Sequence, residues 1–299
     1  MSCARRYHVT HETVYSYGGE VAHAHHLLHL APRQRDHQRC LANSIDLNPA
    51  PSFRFDDHDA FGNPVARLEY DRPHSRLEVN AQIDVIVESR EDMDSAVTET
   101  WENSSARLRY SGLPMSDTDV DAAKFKMQSN YVVLKQMFAD YGADCFPPGR
   151  PVLMGAEELM RKIHRDVRYV PGVTDISTSV AQVFEAKRGV CQDFAHLMIA
   201  CLRSRGLAAR YVSGYLRTHQ GPGSALVGAD ASHAWVSIYC PPIGWVDLDP
   251  TNDARVGTDH VTLAWGRDFG DVSPLRGVIV GGAGHDFSVR VSVVPIPMD

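Results

Sequence analysis

The stretch His233-Ala-Trp-Val-Ser-Ile-Tyr239, then Pro241-Pro-Ile-Gly244, then Trp245-Val-Asp-Leu-Asp-Pro-Thr251 leaves a chain few ways to fold. Its alternation has the period of a strand, and the prolines and glycine mark a turn, so the segment reads as a β-hairpin. Period two places His233, Trp235, Ser237 and Tyr239 on one face, and Trp245, Asp247 and Asp249 on one face of the return strand. His233 and Asp249 become neighbours only in some registers. An odd loop at 241–243 sets Trp235 opposite Asp249 and His233 one diagonal away, within side-chain reach. An even loop would put the two on opposite faces.

The hairpin follows a second informative segment, Arg188-Gly-Val-Cys-Gln-Asp-Phe-Ala-His-Leu-Met-Ile-Ala-Cys-Leu-Arg-Ser-Arg-Gly206. After Cys191, the residues Phe194, Met198, Cys201 and Leu202 share a helical face. Arg203, Arg205 and Gly206 give a C-terminal signal, and Gly189 permits a sharp entry. Cys191 therefore falls in the first turn of a helix, where free N–H groups and the helix dipole favour a thiolate. The same donors can meet a developing oxyanion. A small buried cysteine is the competing account, and Cys201, in mid-helix on the apolar face, is assigned to the core.

Cys191, His233 and Asp249 are the three groups that nucleophilic catalysis by a thiol needs: nucleophile, imidazole base, and carboxylate to hold the imidazole tautomer. Asp247 is a second candidate for the carboxylate. Gln192 stands beside the nucleophile and is a candidate to position the acyl oxygen. Trp235 and Trp245 suit a substrate groove or the packing of the hairpin equally. Between the strand Arg210–Leu216 and the hairpin lies a polar, glycine-rich loop, 217–231, long enough to suggest function.

The remainder of the chain divides by periodicity. Tyr7, Val9, His11, Thr13 and Tyr15 alternate with polar residues, Phe53-Arg-Phe and Val65–Tyr70 flank a turn-rich loop, and Leu77–Glu88 alternates throughout. These predict a β-sandwich over residues 1–95. Residues 91–118 read as connector. Helical spacing starts near Asp119, with Val132, Val133, Met137 and Tyr141, and resumes after Pro151 with Leu159, Ile163 and Val167. A short helix is predicted from Ser177–Ser179 to Lys187. The domain expectation is a sandwich at 1–95, a helical connector at 96–150 and a catalytic core at 151–299, the last strands near 278–296 completing a sheet. The class is α+β.

With 43% hydrophobic and 22% charged residues, the composition is that of a chain that buries a core. A net charge of −7 without basic clusters argues against nucleic-acid binding. Apolar runs are strand-length, and the N-terminus carries no apolar segment after its arginines, so neither a membrane partner nor a secretory signal is expected and the location expected is cytoplasmic. The six cysteines show no CxxC pair and are read as free thiols. His23-Ala-His-His-Leu-Leu-His29 lacks the further ligands of a metal site, and Asp56-Asp-His-Asp59 lacks those of a calcium loop and reads as a solvated turn, so no metal and no cofactor is expected.

Several blocks resemble the bacterial transglutaminase-like family: Gly189-Val-Cys-Gln-Asp-Phe-Ala-His196, Ala209-Arg-Tyr-Val-Ser-Gly-Tyr-Leu216, His233-Ala-Trp235, Gly244-Trp-Val-Asp-Leu-Asp-Pro-Thr-Asn252, Tyr169-Val-Pro-Gly-Val-Thr174 and Gly266–Gly277. The opening strands resemble the β-rich domain that accompanies this core. The resemblance implies a papain-like core, helices packed on an antiparallel sheet, with a Cys-His-Asp triad. It puts the nucleophile on Cys191, the base on His233 and the carboxylate on Asp249 rather than Asp247, and leaves Asp268 near the cleft. The implied activity is acyl transfer at peptide or carboxamide bonds of a protein or peptide. Hydrolysis, as in a cysteine peptidase or amidase, is slightly favoured. Transfer from glutamine to a primary amine is the alternative, and a catalytically silent binding module that keeps the fold is the second. Fold and chemistry transfer better than substrate.

Overall fold

The computed structural model describes residues 4–90, 93–112, 114–217 and 232–298. Nearly all of the loop expected at 217–231 lies outside them. The first unit is a bent antiparallel sheet built on one long strand, β1 (Ala4–Leu28). Its first half pairs with β5 (His74–Glu88), which pairs in turn with β2 (Gln38–Asn48). Its second half pairs with β4 (Pro64–Tyr70), which carries β3 (Phe53–His58) at its edge. The inward residues predicted for β5, from Leu77 to Val87, are buried, as are Tyr7, Val9, His11 and Thr13. Residues from both halves of β1 and from its neighbours share one apolar interior, where Val21, Ala24 and Leu28 meet Leu68, Leu77 and Val79.

The fold of β1 is held by the far end of the chain. Strands β13 (Leu275–Gly281) and β14 (His285–Ile296) both pair with β1, on the side away from β4 and β5, so the last strands complete the sheet of the first unit. Both partners turn at one corner. Gly18 and Gly19 donate to the carbonyls of Gly284 and Gly282, and Gly281, Gly282 and Gly284 adopt positive φ. Such backbone is open to glycine at little cost.

The second unit is helical and then β. A segment expected as connector contains α1 (Trp101–Arg107), started by the Thr100 side chain, and α2 (Asp117–Ala123), started by Ser116. The apolar spacing of Val132 and Val133 does not make a helix. Ser129 and Val132 exchange hydrogen bonds in a turn, and α3 (Gln136–Tyr141) begins after it. Next come α4 (Val152–Asp166) and α5 (Val180–Ala186), the latter with a Ser179–Gln182 capping box. The short parallel pair β6 (Arg168–Tyr169) and β7 (Arg188–Gly189) leads into α6 (Cys191–Ser204). Then β8 (Ala209–Leu216), β9 (His233–Cys240), β10 (Gly244–Asp249), β11 (Ala254–Arg255) and β12 (His260–Gly266) form a sheet in the order β11-β10-β9-β8-β12. A short helix, α7 (Phe269–Val272), returns the chain to β13.

Helix α6 is buried along nearly its whole length, against β8 and β9 on one side and α3, α4 and α5 on others. Its C-terminal Arg203 is 2% exposed and its guanidinium donates to the carbonyls of Met127, Ala209 and Arg267. One apolar cluster runs from Tyr7, Val85 and Val293 of the sandwich through Leu197 and Met198 of α6 to Val236 of β9, so the two units share a core.

Polar contacts fix their docking. Arg35 and Arg90, flanking the sandwich strands, donate to Oδ2 of Asp247 at 2.9 and 2.7 Å. Asp247 is fully buried; burial opposes its charge, but Arg35, Arg90 and Arg210 outweigh it and hold the carboxyl well below the ordinary range. Side-chain amides cap the outer edge of β12 as a strand would: Gln38 bonds the N–H and C=O of Thr262, and Asn63 bonds those of Trp265. The His-rich stretch does not converge. His23 and His25 are exposed, whereas His29 is buried against Asp59 and the Ser273 carbonyl. Asp56 and Asp57 lie on β3, and the turn begins at Asp59, whose carboxylate accepts the N–H groups of Phe61 and Asn63.

Because Asp247 has a depressed pKa in the fold, its stabilisation is fully present above the unfolded carboxyl pKa of about 4 and declines progressively as pH falls from there toward the much lower folded value. Replacing Asp247 by Ala removes the carboxylate that Arg35 and Arg90 share and should cost about 3–5 kcal/mol at neutral pH, the difference from wild type narrowing by about 1.4 kcal/mol for each pH unit below about 4, both read by denaturant unfolding.

Candidate active site

The loop of the β9–β10 hairpin is residues 241–243. Gly244 pairs with Cys240, Trp245 with Tyr239 and Asp247 with Ser237. In that register Asp249 comes opposite Trp235, and His233 lies one diagonal away. The side chains meet there, with His233 Nε2 2.8 Å from Asp249 Oδ2, and both are buried.

Asp249 is fully enclosed, and five donors converge on it. Oδ2 accepts from His233, from Asn252 Nδ2 at 2.8 Å and from His260 Nε2 at 3.2 Å. Oδ1 accepts the N–H groups of Thr251 at 2.9 Å and Asn252 at 3.3 Å. Burial works against the carboxylate charge, but His233 and His260 outweigh it and keep the group ionised. A carboxylate donates nothing, so both imidazoles present Nε2–H to it. The sequence of Asp-Pro-Thr-Asn252 supplies the backbone half of this cradle locally. His260 arrives from β12, the far side of the sheet, and nothing in its own segment, Asp259-His-Val-Thr262, announces it.

With Nε2 engaged, the Nδ1 of His233 is left, buried and without a well-formed hydrogen bond. Cys191 is the group acting on that ring. Burial alone would depress the imidazole pKa; the charges of Asp249 and Cys191 and their hydrogen bonding to the ring raise it above its ordinary value. Cys191 thus acts on the His233 ring electrostatically, and catalytic hydrogen bonds of this kind commonly tighten only when a substrate binds.

Cys191 is the first residue of α6 and is 9% exposed. Its placement depends on Asp193, whose Oδ2 reaches back to the N–H of Val190 at 2.8 Å and to Thr174 Oγ1 at 2.7 Å. Burial pushes the Asp193 carboxyl up, while these two donors oppose the rise. Gly189 makes room for it: a Cβ at 189 would lie 2.5 Å from Asp193 Oδ2. The thiols of Cys145, Cys201 and Cys240 are pushed up by burial, away from ionisation at neutral pH. Cys201 is fully buried on α6.

The other sequence candidates fall around this centre. Gln192 is half-buried and its amide makes no hydrogen bond among the described residues. Trp235 is fully buried, packed on Val212, Val256 and edge-on to His260 at 5.3 Å, so it backs the histidine pair and lines no open groove. Trp245 is half-buried, its ring 4.1 Å from the Arg210 guanidinium, which lies 3.7 Å from Trp265 on another side. Asp247 faces the sandwich. Asp268 caps α7 and holds the N–H of Tyr131, and it acts on His196 and Tyr211, both buried. The Tyr211 hydroxyl is pushed up by burial and then by Cys191, which makes this tyrosine a neighbour of the thiol that sequence spacing does not reveal. Among the described residues no cluster of His, Cys, Asp or Glu is arranged to hold a metal, and no helix is long and apolar enough to cross a membrane.

Comparison with known proteins agrees with this architecture. Residues 7–86 match the bacterial transglutaminase-like N-terminal region, and residues 147–250 match the transglutaminase-like superfamily. An uncharacterized protein of Mycobacterium tuberculosis (strain ATCC 25618 / H37Rv) is 38% identical over 310 residues, covering 100% of this chain and 96% of its own. The chain belongs to the bacterial transglutaminase-like family, its β-rich N-terminal region followed by a transglutaminase-like core. A protein-glutamine gamma-glutamyltransferase of Pseudomonas aeruginosa is 32% identical over 106 residues, 34% of this chain and 16% of that protein. The crystal structure of a "putative cysteine protease" from Cytophaga hutchinsonii superposes with a TM-score of 0.76 at 18% identity, covering 100% of this chain and 93% of the other, a likeness of fold.

Replacing Gly189 by Ala should displace Asp193 and slow iodoacetamide labelling of Cys191 by at least about tenfold at pH 7, with labelling of Cys201 unchanged, as mapped by mass spectrometry.

Proposed function

We propose that the protein is a thiol acyl-transfer enzyme acting on peptide or carboxamide bonds, with Cys191 as nucleophile, His233 as base and Asp249 as the carboxylate that holds His233. The supporting observation is the buried His233–Asp249 bond of 2.8 Å, with Cys191 at the start of α6 acting on the same ring.

The chemistry runs in two halves. Cys191 gives its proton to His233, and the thiolate attacks the acyl carbon. The N–H groups of Cys191 and Gln192 at the start of α6, ahead of the first helical hydrogen bond made by Asp193, receive the oxyanion. The C–N bond breaks, His233 protonates the departing amine, and a thioester remains on Cys191. His233 then takes a proton from water as its oxygen attacks the thioester, and the acid departs with the thiol restored. With a primary amine in place of water the same steps leave a new amide. Asp249 stays ionised throughout and stabilises the imidazolium. Hydrolysis is favoured because water is always present. Transfer to an amine is kept as the second reading on the sequence likeness to the Pseudomonas aeruginosa transferase.

His233→Ala should slow Cys191 alkylation by iodoacetamide below pH 7 by about 10²–10⁴, the range for loss of a positioned base. Labelling at wild-type speed in that variant would return Cys191 to an ordinary thiol and favour a silent binding module. Trapping the thioester with a dansylated primary amine, against release of free acid, separates transfer from hydrolysis.

A further inference from the structure

Asp249 lies between two imidazoles, and the proposed triad uses only one. His260 is 4% exposed, its Nε2 is 3.2 Å from the same Oδ2 that accepts His233, and its Nδ1 is buried with no partner among the described residues. Trp235 holds the ring edge-on, and β12 is fixed from outside by Gln38 and Asn63. A buried polar atom left unpaired costs about 1–3 kcal/mol, a cost an apolar residue would avoid. The side chain is therefore best explained by what Nε2 does. From this geometry we infer that His260 is a positioning residue: it anchors Asp249 Oδ2 as a second imidazole donor beside His233, so that the carboxylate stays aligned as His233 gains and loses its proton.

The argument has a simple physical form. The backbone donors of Thr251 and Asn252 hold Oδ1, and the freedom left to Oδ2 is the rotation of the carboxylate about the Cβ–Cγ bond. Asn252 and His260 close off that swing from two directions, and His233 then meets an acceptor already in place. Preorganised acceptors of this kind avoid reorganisation when charge develops on the base.

This inference rests on the reading of Cys191, His233 and Asp249 as a triad, and it is testable without turnover. Proton NMR of the full-length protein should show two downfield imidazole N–H signals, identified by their loss in His233→Ala and His260→Gln. In His260→Gln the amide replaces the Nε2 donor: the His233 signal should stay near its wild-type position and Cys191 alkylation should remain within about fivefold. In His260→Phe the ring shape stays but the donor is lost: the His233 signal should shift or broaden, and alkylation at pH 7 should slow by about 10–100-fold, as for other outer partners of an oriented imidazole. A His233 signal and an alkylation rate unmoved in His260→Phe would overturn the positioning role. So would a His260→Gln variant as slow as His260→Phe, because packing alone would then explain the loss. Failure of the triad itself reads differently, as wild-type labelling in His233→Ala.

Discussion

A carboxylate with no access to water has to be surrounded by donors or give up its charge, and Asp249 shows how much structure that requires. Two backbone N–H groups come from the turn that follows it, one amide from Asn252, and two imidazoles from different strands. The sheet order β10-β9-β8-β12 supplies His233 from the adjacent strand and His260 from the far edge of the same sheet. The raised pKa of His233, the apposition of Cys191 and the tautomers of both rings all depend on that single buried charge.

The neighbouring carboxylate, two residues earlier on the same face, has a different task. Asp247 accepts two arginines from the sandwich unit, and the amides of Gln38 and Asn63 close the edge of β12. The N-terminal unit thus packs beside the sheet of the second unit. It immobilises β12, the strand that delivers His260. The chain's last strands in turn keep β1 folded, so both ends of the sequence take part in one sandwich whose core is continuous with α6.

Local periodicity carries much of this. The alternation in β5, the hairpin loop at 241–243 and the start of α6 at Cys191 are legible because each depends on residues close in sequence. Helical spacing misled at Val132 and Val133, where a turn closed by Ser129 left buried side chains on irregular backbone. The role of α1 was also out of reach, since its seven residues are stabilised by a Thr100 cap and by docking rather than by an apolar stripe.

The sequence by itself determined that a thiol would sit at a helix start and that His233 and Asp249 would share a hairpin face if the loop is odd, because strand period and loop parity are local properties; the register settled the loop. It left Asp247 and Asp249 distinguishable only by resemblance. Tertiary structure decided between their tasks, since arginines from the sandwich reach one and imidazoles reach the other. It also placed His260 on Asp249, Tyr211 near Cys191 and the final strands on β1. Those neighbours come from strands far apart in the chain, and their meeting depends on sheet order and domain docking, which no short-range spacing encodes.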